Sequence, residues 1–352
     1  MHKLSIIGHF GFGHEHLDGQ TIKTKIIANE LEKIYGEKDV VCHDTHGGLL
    51  FLIRMPFTIL SMMMSSHSII MLPAHKGLRC MSPIITILNI LFRRKIFYVV
   101  IGGWLPDMLA KKRLLRIFLK RLDGIFVETQ SMHDKMTGME FKNVVVMPNC
   151  KKLDILSPSE FMAFPSKPYP LCTFSRVIKE KGIEDAIKAV KDCNNILGYT
   201  AFTLDIYGQI GKDQKHWFDN LMQKQPECIK YQGYVEFSNS VNILKKYFAL
   251  LFPTYYSGEC FAGTVIDAFA AGIPVIASDW HDNRNIIKNN HTGIIFPVHS
   301  VKDLTDLLLQ VNTDPSIIYN MRINCIKEAQ KYQPNIVIKI LLSALENTIQ
   351  NH

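Results

Sequence analysis

The chain has 352 residues, of which 47% are hydrophobic, and a formal net charge of +8. This length accommodates two domains of ordinary size, and the hydrophobic content is typical of globular domains with sizeable cores. The sequence argues against a membrane-spanning helix because it lacks an uncharged apolar run of about eighteen residues. Its first apolar run is too short for a signal peptide.

The first half of the chain alternates short apolar runs with segments of helical periodicity. Such alternation predicts βαβ units and therefore a parallel, doubly wound sheet. The predicted strands are residues 3–7, 39–43, 68–72, 96–100, 124–128 and 143–147, and the predicted helices are residues 21–35, 49–64, 84–92 and 108–121.

The most apolar part of this half is residues 49–73, which Arg54, Pro56 and His67 interrupt. Because these three residues prevent a continuous run of membrane-spanning length, we predict a buried helix followed by a strand. The helical part is therefore assigned to the core of the first domain.

Basic residues are concentrated in residues 76–121, which contain eleven Lys and Arg and a single acid, Asp107. The predicted helices 84–92 and 108–121 also carry many apolar residues beside these cations. One interpretation is a buried face with a solvated basic rim. We favour the other, in which residues 84–121 bind an anionic membrane surface, because one acid among eleven bases is unusual for a merely solvated face.

A proline-rich segment, residues 157–170, indicates a linker, and the alternation resumes beyond it. The sequence thus predicts two doubly wound α/β domains, residues 1–160 and 168–332, that face each other across a cleft. A C-terminal helix at about 335–352 is expected to pack back on the first domain. In the second domain the predicted strands are residues 171–175, 202–208, 229–233 and 248–253, and the predicted helices are residues 183–197, 212–224 and 238–246.

The eight cysteines are scattered and form no C-x-x-C pair, which favours free thiols in a reducing cytoplasm. Two histidine pairs, His14-x-His16 and His43-x-x-His46, could contribute metal ligands. Because neither pair has a clear third ligand, we favour loop histidines and predict no metal site.

The loop after the first strand, residues 8–25, is rich in glycine, and Asp18 or Thr21 could cap the helix that follows. A glycine loop before a helix attracts phosphate. Its G-x-x-G-x-G pattern differs from the dinucleotide-binding G-x-G-x-x-G pattern, and Asp44 is the one acid at the end of the second strand. On this loop alone, a structural turn and a ligand site are equally good interpretations.

A second loop, "FSRVIKEKG", carries two cations: Arg176 follows a strand and Lys181 precedes a helix. Because the carboxyl ends of strands and the starts of helices meet at one edge of a doubly wound sheet, the two side chains could clamp a diphosphate. The alternative is a pair of solvated charges, and we leave both open.

A third stretch, "ECFAGTVIDAFAAGIPVIASD", holds Glu259 and Asp267 eight positions apart around small residues. Thr264 is predicted to cap a helix that begins at Val265, with Asp267 completing a capping box. That explanation leaves Glu259 and the small residues unexplained. A sugar phosphate on this helix start would meet the free backbone amides of residues 262–265, and the two carboxylates would accept hydrogen bonds from its hydroxyl groups.

Together these segments resemble the family 4 retaining glycosyltransferases, which have the GT-B fold. Glu259-x7-Asp267 is similar to their E-x7-E motif, and "FSRVIKEKG", "LDIYGQ", "YQGYV", "AAGIPVIASD" and "VVVMPNC" resemble other segments of the family. "LDGQTIKTK" and "VVIGGWLP" look like loops of members that build bacterial capsular or surface polysaccharide. The resemblance covers nearly the whole chain.

The resemblance implies a role for each residue of the motifs. Glu259 would contact the donor sugar, Asp267 would hold the ribose hydroxyls, and Arg176 and Lys181 would hold the diphosphate. The remaining residues that the resemblance assigns to the donor site are Gly19, Cys260, Phe261, Ala262, Gly263, Thr264 and Val265.

The chain departs from the family pattern at several positions. The last acid of the motif is Asp267 where the family has Glu, and Cys260 and Ala262 stand where glycine is commoner. In place of a histidine often found on a first-domain loop, the chain has Gly102-Gly103-Trp104, and His75 is a candidate substitute.

The resemblance implies retaining transfer of a hexosyl group from a nucleotide diphosphate sugar to a saccharide acceptor in surface polysaccharide synthesis. We expect this acceptor to be polyprenyl-linked. No D-x-D motif occurs, so we expect metal-independent transfer without a cofactor, at the inner face of the cell membrane, and no nucleic acid partner. The alternatives are a nucleotide-sugar epimerase of the same fold, a non-enzymatic sugar-binding protein and a dinucleotide oxidoreductase.

Overall fold

The computed structural model describes residues 2–12, 19–46, 48–161 and 166–349. The chain divides into two compact units. The first unit consists of Met1–Lys152 and Tyr332–His352, and the second consists of Leu153–Lys331.

The first unit is built on a six-stranded sheet in which every neighbouring pair is parallel. Its strands lie in the order β2-β1-β3-β4-β5-β6. The elements are β1 (His2–Gly8), α1 (Gly19–Tyr35), β2 (Val40–Asp44), α2 (Gly48–Ser65), β3 (Ser66–Leu72), α3 (His75–Phe92), β4 (Lys95–Val99), α4 (Leu105–Lys111), α5 (Arg113–Leu119), β5 (Gly124–Val127), α6 (Gln130–Thr137) and β6 (Val144–Val146).

The second unit repeats this plan with a second six-stranded parallel sheet in the order β12-β11-β10-β7-β8-β9. Its elements are β7 (Tyr169–Phe174), α7 (Ile183–Leu197), β8 (Phe202–Tyr207), α8 (Lys215–Met222), β9 (Ile229–Gly233), α9 (Ser240–Leu244), β10 (Ala249–Phe252), α10 (Gly263–Ala270), β11 (Val275–Ser278), α11 (Asn283–Ile286), β12 (Gly293–Phe296), α12 (Val301–Thr313), α13 (Ser316–Tyr319) and α14 (Arg322–Gln330). Short 3-10 helices occupy Pro158–Glu160, Lys179–Lys181, Lys212–Gln214 and Phe237–Asn239.

The last helix, α15 (Pro334–Ile349), belongs to the first unit. It packs on α1, and its Val337 and Leu341 are buried in the same core as Ile27 and Leu31 of α1. Apolar residues at this spacing line one face of a helix, so α15 closes one side of the first core.

The segment that follows the first unit packs against the second unit over residues 153–161. The backbone amide of Leu156 donates to the carbonyl of Ala270 (2.9 Å), and the guanidinium of Arg322 lies 4.1 Å from the centre of the Phe161 ring. The first unit therefore ends at Lys152, eight residues before the boundary predicted at residue 160.

Two predicted helices differ from the observed ones. The helix expected at 84–92 begins earlier, at His75, and accommodates Pro83 within it. The helix expected at 108–121 is two short helices, α4 and α5, which separate at Lys112 because its backbone (φ −123°, ψ 74°) is not helical.

Helix α2 contradicts the prediction of a buried helix. Its side chains at Met55, Ile59, Met62 and Met63 are buried, and these positions form one face. The rest of the helix also carries large apolar side chains, and these are exposed to solvent, namely Leu52, Ile53, Phe57, Leu60 and Met64. Of the described helices, none is both long enough and apolar enough to cross a membrane.

Candidate functional site

Three loops meet at the carboxyl ends of neighbouring strands β7, β10 and β11 in the second unit. The amide of Tyr255, after β10, donates to the carbonyl of Glu180, after β7 (2.8 Å). The hydroxyl of Ser278, at the end of β11, donates to the carbonyl of Thr254 (2.5 Å), and the Trp280 indole donates to the carbonyl of Tyr256 (2.9 Å). These bonds fix the loop after β10 between its two neighbours.

Gly182 brings Lys181 against the loop after β10. It has a left-handed backbone (φ 71°), and a Cβ atom added to it would lie 2.1 Å from the carbonyl oxygen of Pro253. Only glycine adopts this conformation freely and permits such a close approach. Packing therefore requires glycine at position 182, and this close approach places the neighbouring Lys181 side chain at the site.

Lys181 and Glu259 form an ion pair in which Lys181 Nζ donates to Glu259 Oε2, and each side chain is only 9% exposed. Thr254 Oγ1 donates to the same carboxylate oxygen (3.0 Å). The sequence assigns Lys181 to a diphosphate and Glu259 to a sugar, and the structure brings the two side chains into contact with each other. A buried charge needs such a partner, because burying it alone is strongly unfavourable.

Arg176 is exposed and lies over the same aromatic ring as Lys181. Its guanidinium is 5.4 Å from the centre of the Tyr256 ring, and Lys181 Nζ is 5.2 Å from that centre. Both contacts are within the range of cation–π interactions. The two cations predicted to act together are therefore neighbours around Tyr256, which the sequence analysis did not single out.

Helix α10 begins at Gly263, with Ala262 as its N-cap residue and no side-chain cap. The predicted capping box is therefore wrong. Thr264 is already inside the helix, and its Oγ1 is buried with no hydrogen-bond partner among the described residues. The reason is that Ala262 (φ −69°, ψ 121°), two residues earlier, takes the extended conformation of an N-cap. The N-cap residue of α10 thus offers no side-chain acceptor to the first backbone amides of the helix.

The remaining residues that the sequence assigns to the donor site differ in exposure. Asp267 is the fifth residue of α10 and is only 3% exposed, and Cys260, Phe261 and Val265 are buried as well. Ala262, Gly263 and Thr264 are half-buried, and a Cβ atom on Gly263 would meet no atom within 4 Å. The accessible part of this segment is therefore its backbone around Gly263.

In the first unit, Asp44 organises the loop after β1. Its carboxylate accepts hydrogen bonds from the backbone amides of Phe10 (3.0 Å), Phe12 (2.8 Å) and His46 (2.9 Å). Burial alone would raise the pKa of Asp44, but these amides and that of Gly11 outweigh burial and hold the pKa below its usual value. The Asp44 carboxylate, the candidate for binding a dinucleotide ribose, is therefore already hydrogen-bonded to backbone amides, including those of the loop after β1.

Gly19 is the first residue of α1 and is exposed, with no atom within 4 Å of an added Cβ. Thr21 lies inside α1 and cannot be its N-cap. Asp18, His14 and His16 lie outside the described residues. Within the described ranges, no group of three His, Cys, Asp or Glu side chains could hold a metal ion.

The first unit contains a buried ion pair that was not predicted from the sequence. Lys23 Nζ, on α1, lies 2.6 Å from Glu128 Oε1, just after β5, and the two side chains are 2% and 4% exposed. Lys23 also donates to the carbonyl of Val100, after β4 (3.3 Å). The acid that ends the apolar run "GIFVE" was the signal in the sequence, because an acid directly after a buried strand needs a partner.

Residues 159–332 match the family described as Glycosyl transferases group 1. This range covers nearly all of the second unit and includes the three loops that meet there.

Curated relatives match parts of the chain. The GtfA subunit of a UDP-N-acetylglucosamine–peptide N-acetylglucosaminyltransferase from Streptococcus agalactiae is 32% identical over 135 residues, which are 37% of this chain and 25% of the relative. An N,N'-diacetylbacillosaminyl-diphospho-undecaprenol alpha-1,3-N-acetylgalactosaminyltransferase from Campylobacter jejuni is 25% identical over 114 residues, 32% of this chain and 30% of the relative. The matches thus span less than a third of each relative.

Solved structures match the whole chain. Anabaena Alr3699/HepE in complex with UDP has a TM-score of 0.76 at 13% identity and covers 98% of this chain and 100% of its own. Sucrose-phosphate synthase from Thermosynechococcus elongatus has a TM-score of 0.76 at 14% identity and covers 100% of both chains. These matches confirm the predicted fold class, a GT-B fold with two doubly wound α/β units.

Proposed function

We propose that this chain, whose residues 159–332 carry a glycosyl transferases group 1 domain, transfers a sugar from a nucleotide diphosphate donor to a saccharide acceptor. The observation that carries the proposal is the cluster of Arg176, Lys181 and Glu259 around Tyr256, inside the matched range. Two cations on one ring are suited to a diphosphate, and a neighbouring carboxylate is suited to sugar hydroxyls.

The donor is proposed to be a UDP-sugar. The Streptococcus relative is named for UDP-N-acetylglucosamine, and the HepE structure contains UDP. The diphosphate would lie between the two cations and the start of α10, where uncapped amides and the helix dipole favour an anion. Asp267 would receive the ribose hydroxyls, and Cys260 and Phe261 would border the sugar.

We further propose that transfer retains the configuration of the sugar and needs no metal. Arg176, Lys181 and the amides at the start of α10 would stabilise the negative charge that develops on the leaving diphosphate. Glu259 would hold Lys181 in position and accept a hydrogen bond from the sugar. The chain has no D-x-D motif that would supply a carboxylate pair for a divalent cation.

The acceptor is proposed to be a polyprenyl-linked saccharide used in the synthesis of capsular or other surface polysaccharide. The name of the Campylobacter relative includes a diphospho-undecaprenol-linked sugar, which supports an acceptor of this class. The cation-rich residues 84–121 support a position on the inner face of the cell membrane, where such lipids are anchored.

Binding of nucleotide sugars tests the donor proposal. We expect UDP-sugars to raise the melting temperature more than GDP- or ADP-sugars do, because a ligand that binds the folded state stabilises it. Arg176→Ala should reduce this shift, whereas Lys224→Ala, an exposed cation elsewhere in the second unit, should not. Equal shifts with all nucleotides, or none, would contradict the proposal.

Chelation tests the proposal that the protein itself stabilises the leaving group. We expect transfer from the UDP-sugar to proceed at an unchanged rate in EDTA, because Arg176 and Lys181 supply the positive charge. A loss of activity that Mg²⁺ or Mn²⁺ restores would show that a metal ion has this role instead.

A further inference from the structure

Helices α2, α3 and α5 form one layer on a single face of the first sheet. From β1 to β2 the chain moves toward one edge of the sheet, and in every later connection it moves toward the other edge. Because such crossovers are right-handed, α1 lies on one face and α2 to α6 lie on the other. Within that layer α2 packs on α3, and α3 packs on α5.

The outer surface of this layer is strongly apolar. In α2, Phe57 is 75% exposed, and Ile53, Leu60 and Met64 are exposed at positions that follow the same stripe of the helix. Outside α2, α3 and α5, the exposed large apolar side chains of the described residues are spread over both units.

Helices α3 and α5 continue this surface. Leu91 is 79% exposed, and Ile87 and Ile90 of α3 and Leu114 and Ile117 of α5 are exposed with it. Together with α2, the three helices carry half of the large apolar side chains that are exposed in the described residues. A concentration of this kind marks an interaction surface.

Exposed cations lie on α2, on α3 and at the start of α5, the helices that carry these apolar side chains. Residues 48–122 contain twelve Lys and Arg and one acid, Asp107. Arg54, Arg79, Lys112 and Arg113 are exposed, and none of them forms an ion pair with a described residue. The surface therefore combines apolar area with a positive charge that neighbouring acids do not neutralise.

We propose that the exposed face of α2, α3 and α5 docks on an anionic lipid bilayer. The apolar side chains would enter the boundary between headgroups and acyl chains, and the surrounding cations would contact lipid phosphates. This inference deepens the membrane part of the proposed function and adds α2, which the sequence analysis assigned to the core. It does not depend on the donor site, which lies in the other unit.

A bilayer fits this surface better than a second copy of the chain or a nucleic acid. In a symmetric dimer the same patch faces itself, so the basic rim of one copy would oppose the basic rim of the other. Nucleic acid interfaces are polar and positively charged, whereas the centre of this surface is apolar. An anionic membrane presents both chemistries that the surface requires.

Vesicle sedimentation tests the proposal on the full chain. We expect binding to vesicles of phosphatidylglycerol and phosphatidylcholine, weak binding to phosphatidylcholine alone, and release by salt. Phe57→Ser with Leu91→Ser should lower the partition coefficient at least about tenfold, because both side chains would lose their contact with lipid. Arg79→Glu with Lys112→Glu should lower it by at least about 25-fold, at about fivefold for each of the two cations lost.

Matched changes in the second unit provide the controls. Ile196→Ser with Ile323→Ser, and Lys224→Glu with Lys230→Glu, alter exposed residues of the same types and should leave vesicle binding unchanged. Binding to neither vesicle, equal binding to both, or an equal loss in the controls would overturn the proposal. The proposal would also be overturned if the protein self-associates without binding vesicles and Phe57→Ser with Leu91→Ser abolishes that self-association. The rise in melting temperature that UDP causes, measured for each variant, tests the donor proposal separately.

Discussion

Glu259 holds Lys181 in place through an ion pair that little water reaches. Thr254 donates to the same carboxylate, so the acid has two partners before any sugar hydroxyl is considered. A Lys charge at this depth is stable because the carboxylate compensates it. We therefore expect the acid to act on the proposed diphosphate site through the position of Lys181, in addition to any direct contact with a sugar.

We expect Glu259→Gln to lower the rate of transfer by at least about tenfold while UDP affinity changes much less, because the amide keeps the size and removes the charge that orients Lys181. Steady-state rates and UDP titration measure the two quantities. Glu227→Gln makes the same change at an exposed position and should alter neither. Equal losses of affinity and rate would show that Glu259 serves ground-state binding only.

The sequence singles out the candidate residues of this segment, but it does not reveal their partners. The spacing of Glu259 and Asp267 and the Lys-Gly pair single out the segment, because those residue types at those positions suit a sugar diphosphate. The contact between Lys181 and Glu259 joins residues 78 positions apart and depends on how three loops meet. The failure of Thr264 as a cap depends on the backbone angles of Ala262, which no residue type in the motif dictates.

At the scale of elements, two glycines frame α7 with the same left-handed backbone and different surroundings. Gly182 (φ 71°) precedes the helix and touches the Pro253 carbonyl, whereas Gly198 (φ 75°) follows it with open space around an added Cβ. The predicted and observed limits of α7 agree because glycine stands at both ends. Where no glycine marks the end of a helix, as between α4 and α5, the sequence predicts one helix and the structure has two.

These two glycines provide a matched test. Gly198→Ala should cost about 1–2 kcal/mol of stability, because alanine is disfavoured in the left-handed backbone conformation. Gly182→Ala should cost more, because its Cβ must also displace the Pro253 carbonyl, and it should reduce transfer by moving Lys181 away from Glu259. Urea unfolding and transfer rates measure both effects. Equal stability losses with full activity in both variants would contradict the packing role of Gly182.

Asp44 ties the loop after β1 to the end of β2, and its pKa is held below the usual value by four backbone amides that outweigh burial. An acid with a lower pKa in the folded state contributes stability above its unfolded pKa, about 3.9. This contribution is lost as the pH falls through the folded pKa.

We therefore expect Asp44→Asn to lower the melting temperature at neutral pH, and the difference from the unsubstituted chain to shrink as the medium is acidified below about pH 4. Thermal melts across the acid range measure this difference. A difference that stays constant with pH would show that the carboxylate charge does not hold the loop.

At the scale of the whole molecule, the alternation of apolar runs was sufficient to predict two parallel sheets, because a parallel strand buried on both faces leaves a continuous apolar signature. Strand order and the allocation of segments to units carry no such signature. They depend on which apolar faces meet, as with residues 153–160, which the sequence assigned to the first unit and which belong to the second.

Because α15 packs in the core of the first unit, a core substitution in this C-terminal helix should destabilise that unit. Leu341 is fully buried beside α1, so Leu341→Ala should destabilise the protein by about 2–5 kcal/mol through the cavity that it leaves. Hydrogen exchange should then quicken in α1 and β1 of the first unit while α7 and β7 of the second remain protected. Ile336→Ala, on the exposed side of the same helix, should change stability little. Faster exchange confined to the second unit would show that α15 supports the other core.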